Sequence, residues 1–471
     1  MSGMAPTSVV EASLPRPPVR TSAVPVVVAA VAGLLGVLVL ALLLGGGRPA
    51  EAAAGLAQAG PLVSWGLPVA TLAGRIAAVG TVGTLLFAAV LLPGSGRSLP
   101  QASRRALRAA SRWALGWAAA TVAGALLTVA QLVGVAPTAV TASSLRVFAT
   151  DLPAGRSAVV VLVATVVVAL TARRCAGSVP AALLLAAAVC GLVMPAVLTG
   201  HSSAAEDHVL AVTNLSVHVV AASLWVGGLL ALLVHGRSAD GLAGAVGRFS
   251  ALALVCFAAA GTSGVLAAWL VLGGSLPVDT VLGSGYGWLL LGKTAALVVL
   301  GVLGRRHRRS ALPRLRSGRP GAFRRFAAVE AAVMLATVAL AVALAASPPP
   351  AAAAVPAAAT ATPGEATTGT AAPEPGAAAV DDMSGHDHGD LSVTVLVDGT
   401  RFHVSSAVAP GSRVTLHNGS ATEVSLTADD GSFDVVVPGR TLTTFLAPSE
   451  PGSYPFTSRH SAGFADVLVV G

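Results

Sequence analysis

The sequence predicts a polytopic α-helical membrane protein of about nine transmembrane helices with a C-terminal β-sandwich. Three observations carry this. The 471 residues are 54% hydrophobic and only 11% charged, with a mean hydropathy of +0.79, whereas a soluble domain is about 25% charged. Nine apolar runs approach or exceed the roughly 20 residues needed to cross a bilayer. After the last of them the pattern changes to short alternating runs separated by turn dipeptides.

Residues 1–21 form a Pro-rich tail carrying Arg16 and Arg20. The run that follows is longer than a signal-peptide core, so it reads as an uncleaved first span. Spans are expected at about 22–46, 70–93, 113–135, 157–173, 178–199, 209–234, 249–273, 286–303 and 325–346. The fourth is short, and only a tight turn holding Arg173 and Arg174 separates it from the fifth.

Arginine placement orients the bundle, because arginine-rich connections stay in the cytoplasm. The N-terminus, 95–112, Arg173 with Arg174, Arg237 with Arg248, and 304–325 all fall on one side. The loops around Glu51, Asp151, Glu206 and Asp279 carry few positive charges and are expected outside. With an odd number of spans, the C-terminus then lies outside as well. The formal net charge of +8 is accounted for by these loops, so it argues topology in a lipid bilayer and not nucleic-acid binding. Cys175, Cys190 and Cys256 show no CxxC pair or zinc-site spacing and are expected to be buried spectators.

The spans form a transmembrane domain over 22–346. Residues 347–390 are a Pro/Ala/Thr-rich linker without apolar periodicity. It ends in a cluster of Met383, His386 and His388 flanked by Asp387 and Asp390, either a flexible metal-capturing segment or a polar end to the tether. Over 391–471 about eight strands are expected, near 391–397, 401–405, 413–418, 423–427, 433–437, 441–446, 453–456 and 465–470. Turn signals such as Asp430-Gly431 and Pro451-Gly452 at this spacing argue a sandwich.

The chemistry is expected around His218. An ionisable group at membrane depth is costly and marks a functional site by default. Asn214, four residues earlier, shares its helical face, and Trp225, seven residues later, lies deeper on it. Gly227 and Gly228 allow a close helix approach. Above His218 the outward-facing loop supplies Met194, His201 and His208. Thioether and imidazole suit copper better than a hard cation. The bland alternative is a packing methionine, two solvated histidines and a hydrogen-bonded interhelical histidine. Lys293 in the eighth span and Glu330 in the ninth would neutralise each other as a pair, although their expected depths differ; Lys293 otherwise snorkels outward. Arg75 sits near the outer end of the second span.

At these residues the chain resembles the copper resistance protein D (CopD) family of bacterial inner-membrane proteins. The matching stretch, about 200–348, contains Gly200-His201, the His218-x6-Trp225-x-Gly227-Gly228 pattern, Arg248-Phe-Ser250, Gly261-Thr-Ser-Gly264, Tyr286-Gly287 with Lys293, and Arg324-Arg325 with Glu330. The resemblance implies copper resistance and copper uptake across the bacterial cytoplasmic membrane, beside a periplasmic copper-binding partner. The C-terminal part resembles a cupredoxin through Val414 to Asn418, Pro438-Gly439, and Pro451 to His460. It departs from that family at the copper ligands: Thr457 replaces the cysteine, Glu423 or Val424 falls at the upstream histidine, and no methionine follows His460. A blue-copper centre needs a thiolate and two imidazoles, so the fold is expected without that centre. His403, His417 and His460 read as surface histidines or a different weak site.

Two functions follow as expectations. One is copper transport or handling, with metal passing from the Met194, His201 and His208 mouth to His218. The other is a non-transporting scaffold or sensor whose sandwich docks a partner or assists cuproenzyme assembly. No phosphate-binding loop, HExxH or nucleophile elbow is present, which argues against an enzyme.

Overall fold

The computed structural model describes residues 24–48, 59–94, 98–199, 205–236, 241–271, 278–306, 308–309, 320–347, 394–397, 401–404, 407–460 and 463–471, of which 199, 205–208, 278–280 and 320–324 are described in backbone only. Its helices are α1 (Val24–Gly45), α2 (Pro61–Leu86), α3 (Gln101–Val133), α4 (Ala142–Asp151), α5 (Pro153–Thr171), α6 (Ser178–Thr199), α7 (Ala205–His235), α8 (Leu242–Val271), α9 (Val278–Gly283), α10 (Gly285–Arg306) and α11 (Pro320–Ala345). Among the described residues, nine are long and apolar enough to cross a membrane; α4 and α9 are the short ones.

Several spans extend past their apolar runs, because a helix can leave the hydrocarbon without ending. Helix α2 starts at Pro61, after Gly60 in a left-handed conformation (φ 87°), and a π-helical turn (Phe87–Leu91) prolongs it. Helix α3 starts at Gln101, well before its apolar run. Its first turns are amphipathic: Ala102, Ala106, Ala110 and Ala114 are buried, whereas Arg104, Arg108 and Arg112 flank them. It ends where Gly134 turns left-handed (φ 67°). Helix α4 lies where only a loop was expected. Thr141 caps it, accepting a bond from the Ser144 amide at 3.2 Å, and Phe148 anchors its buried face.

The centre of the bundle is a close crossing of α2 and α7. A methyl group on Gly83 would collide with the Gly227 backbone, and one on Gly227 would meet the Gly83 amide nitrogen at 2.9 Å. Gly228 takes Phe249 of α8 on its other side, where an added Cβ would lie 2.8 Å from that ring. The expected close approach at this glycine pair is therefore what the backbone requires. At the arginine-rich end, Arg248 donates to the Leu91 carbonyl through Nε at 3.0 Å and Nη2 at 2.5 Å, closing the end of the π-helical turn. Of the cysteines only Cys256 is buried. Cys175 is half-buried and Cys190 is exposed on α6, because that helix turns this face away from its neighbours.

The C-terminal part has β1 (Val395–Val397), β2 (Phe402–Val404), β3 (Arg413–Asn418), β4 (Val424–Ala428), β5 (Asp434–Val437), β6 (Thr441–Leu446), β7 (Gly452–Thr457) and β8 (Ala465–Val470). They form two four-stranded sheets, ordered β2-β1-β3-β6 and β5-β4-β7-β8, with β1 and β3 parallel and the other pairs antiparallel. Val414, Leu416, Leu426, Phe433, Phe456 and Leu468 fill the space between them.

The first sheet rests on the helical bundle, at the end opposite the arginines. Arg413 pairs with Asp151 of α4 at 3.0 Å, and Thr444 donates to the same carboxylate at 3.2 Å. Leu442 is buried among Val129, Val133, Phe148 and Leu152. Period-two alternation explains the docking face: Arg413, Thr415 and His417 pair across β3–β6 with Leu446, Thr444 and Leu442, all pointing away from the sandwich core. This is why β3 is buried on both faces beyond Arg413.

Candidate functional site

Helix α7 presents Asn214 and His218 to α8, and both are tied to one serine. Asn214 is buried and donates through Nδ2 to the Ser263 carbonyl at 2.9 Å. His218 Nδ1 lies 2.9 Å from Ser263 Oγ. The serine has a single hydroxyl proton, and Ala259 carbonyl oxygen takes it at 2.6 Å. Ser263 Oγ therefore accepts from His218 Nδ1, so an imidazole in its neutral form carries its proton there and has its lone pair on Nε2. Gly264 lets the helices meet here: a Cβ on it would lie 3.7 Å from His218 Cε1.

Ser263 is the residue that sequence reasoning passed over. A serine in a span normally bonds back into its own helix, as this one does, and only the facing α7 reveals its second partner. Its one signal was the Gly261-Thr-Ser-Gly264 motif. Asn214 acts on the site through Ser263, not by a direct bond to the imidazole. Trp225 lies deeper, buried and edge-on to Phe257 with centroids 5.6 Å apart.

Helix registers set the levels of the charged residues. Contacts of Gly227 with Val79 and Gly83 place Arg75 level with the turn from Val219 to Ser223, just below His218. On α8, Gly261 faces Leu297 and Phe257 faces Gly301, so Lys293 comes level with Gly264 and Val265, at the height of His218. Both cations act on the imidazole electrostatically. Gly292 faces Leu340, which puts Glu330 nine residues, or about 13 Å, nearer the arginine-rich end than the level of Lys293. Glu330 is buried there, and the register separates the levels of the two groups that were considered as a pair.

Met194 is half-buried in α6. His201, the His208 side chain, Met383, His386 and His388 lie outside the described residues. Among the described residues no group of three or more His, Cys, Asp or Glu side chains is placed to hold a metal ion. In the sandwich, His460 Nε2 meets Glu423 Oε1 at 3.3 Å, so a surface His–Glu pair occupies two positions where the resemblance would place copper ligands. His417 is buried on the docking face, its Nε2 has no hydrogen-bond partner among the described residues, and burial pushes its pKa down to about 4.

A helical bundle with a polar layer in its span region and a sandwich docked on one end defines a polytopic membrane protein. Residues 243–344 match the family model described as Copper resistance protein D. The match runs from the start of α8 to the end of α11 and includes Ser263, Lys293 and Glu330; α7 with His218 precedes it. It bears out the resemblance over those helices. No curated protein and no solved structure matches the chain.

Proposed function

We propose that the protein handles or transports copper across the bacterial cytoplasmic membrane, passing metal from a Met/His mouth formed by Met194, His201 and His208 to His218. The observation that carries this is the Ser263 bond, which aims a neutral Nε2 donor into the span region. Imidazole of this kind accepts either copper state. A single donor suits a cargo ion that is passed on, since a resident centre collects more ligands. The positive-inside rule makes the arginine-rich end cytoplasmic and puts the docked sandwich outside, beside the mouth. Met383, His386 and His388 precede the sandwich on the linker and would gather metal for it. The protein supplies a path and no catalytic chemistry. A periplasmic copper-binding protein is the partner that this arrangement would serve.

The test is cellular copper content at limiting copper. A His218→Ala strain with normal membrane levels of the protein accumulates less copper than wild type; unchanged accumulation refutes the reading.

The second reading is a non-transporting scaffold or sensor. Val467 and Val469 on edge strand β8 support it, because they leave apolar surface exposed on the sheet turned away from the bundle. Deleting 391–471 separates the two: a transporter keeps its flux, and a docking protein loses its function.

A further inference from the structure

We propose that the layer of Arg75, His218 and Lys293 receives an anion, and that copper reaches His218 as a negatively charged complex and not as a bare cation. The cargo rests on the copper reading above; the charge rests on the geometry of the layer.

Three helices bring a basic side chain to one level: α2 through Arg75, α7 through His218 and α10 through Lys293. The nearest acidic group within a described span, Glu330, sits well below them. Arg75 and Lys293 have no hydrogen bond or ion pair among the described residues. Cations at membrane depth are ordinarily paired or line a ligand path. Two cations without an acidic partner among the described residues, at the level of the imidazole, repel a bare metal ion from Nε2 and attract an anion to the same place. Lys293 and His218 are half-buried within their spans.

An anionic Cu(I) complex with two monovalent ligands satisfies both halves of the site. As the bond from Nε2 to copper forms, one copper–ligand bond breaks. The departing anion keeps its electron pair and is held by Lys293 and Arg75. Copper stays Cu(I), and the proton stays on Nδ1 in its bond to Ser263. The same chemistry would also hold a free anion without copper, and the test separates the two.

Full-length protein in nanodiscs of neutral lipid is titrated calorimetrically with sodium bromide, with dichlorocuprate(I), and with the cationic acetonitrile complex of Cu(I) in halide-free buffer. Dichlorocuprate(I) binds wild type at least about tenfold more tightly than the cationic complex. Lys293→Met and Arg75→Met each weaken its binding by about tenfold or more without weakening the cationic complex. Lys293→Arg retains wild-type behaviour, which separates loss of charge from loss of fold. Bromide binding that is lost in the same two variants, without binding of either copper complex, upholds the anion site and refutes the copper reading. Binding of the cationic complex as tightly as dichlorocuprate(I), with Lys293→Met unchanged, overturns the anion site and leaves the copper reading standing. Failure to bind bromide or dichlorocuprate(I) also overturns it.

Discussion

Acidification is expected to lift the sandwich off the bundle, through His417. Its imidazole lies on the docking face beside Leu442, with Leu396 as its partner on the other side. Arg413 and Asp151 pair with each other across that face at 3.0 Å, and His403 is one strand further out. Burial holds the pKa of His417 at about 4, against an ordinary value of 6.5. The docked state therefore binds fewer protons than the undocked one, so docking is full above pH 6.5 and weakens as pH falls toward 4. Between pH 7 and pH 5 the linkage amounts to about 2 kcal/mol, roughly a twentyfold shift toward the undocked form. The assay is double electron–electron resonance between spin labels at Ser143 on α4 and Ser453 on β7, in a background lacking the three native cysteines. The short-distance population should fall between pH 7 and pH 5 in the wild type and stay constant in His417→Gln. A distance distribution that ignores pH, or one that shifts equally in His417→Gln, would show that this imidazole is not buried by docking.

Other perturbations follow from the same geometry. Gly227→Ala forces α2 and α7 apart and should destabilise the bundle by about 2–3 kcal/mol, seen as a lower midpoint in thermal unfolding of detergent-solubilised protein. Ser263→Ala removes the acceptor that orients His218; Cu(I) affinity measured by chelator competition should drop about 10–100-fold, while stability changes by only about 1 kcal/mol. Glu423→Ala breaks an exposed pair with His460 and should change the stability of the sandwich by less than about 1 kcal/mol in a denaturant titration.

Much of the fold was legible in the sequence because bilayer thickness imposes a length on every span and the sandwich imposes a period of two on every strand. The strands that period predicts at 413–418, 441–446 and 465–470 are β3, β6 and β8 to the residue. Helix starts were less legible. Hydropathy registers the hydrocarbon-facing part of α3, and its arginine-bearing first turns are helical for a different reason, a buried stripe of alanines. Helix α4 was hidden because its stability comes from Thr141 and from Phe148 packing, neither of which raises hydropathy. The site was half visible. His218, Asn214 and the glycine pair stand out in an apolar run, but Ser263 acquires its role only when α8 is laid against α7. The level shared by Arg75, His218 and Lys293 depends on three helix registers, which no pattern within a single helix contains.

The central claim is that Nε2 of His218 is a copper ligand held in place by Ser263, and Cu K-edge X-ray absorption on the Cu(I)-loaded full-length protein tests it most directly. Wild type should show imidazole scattering and bind one copper more than His218→Ala, in which that scattering is reduced. Identical copper stoichiometry and identical spectra in the two proteins would contradict the account.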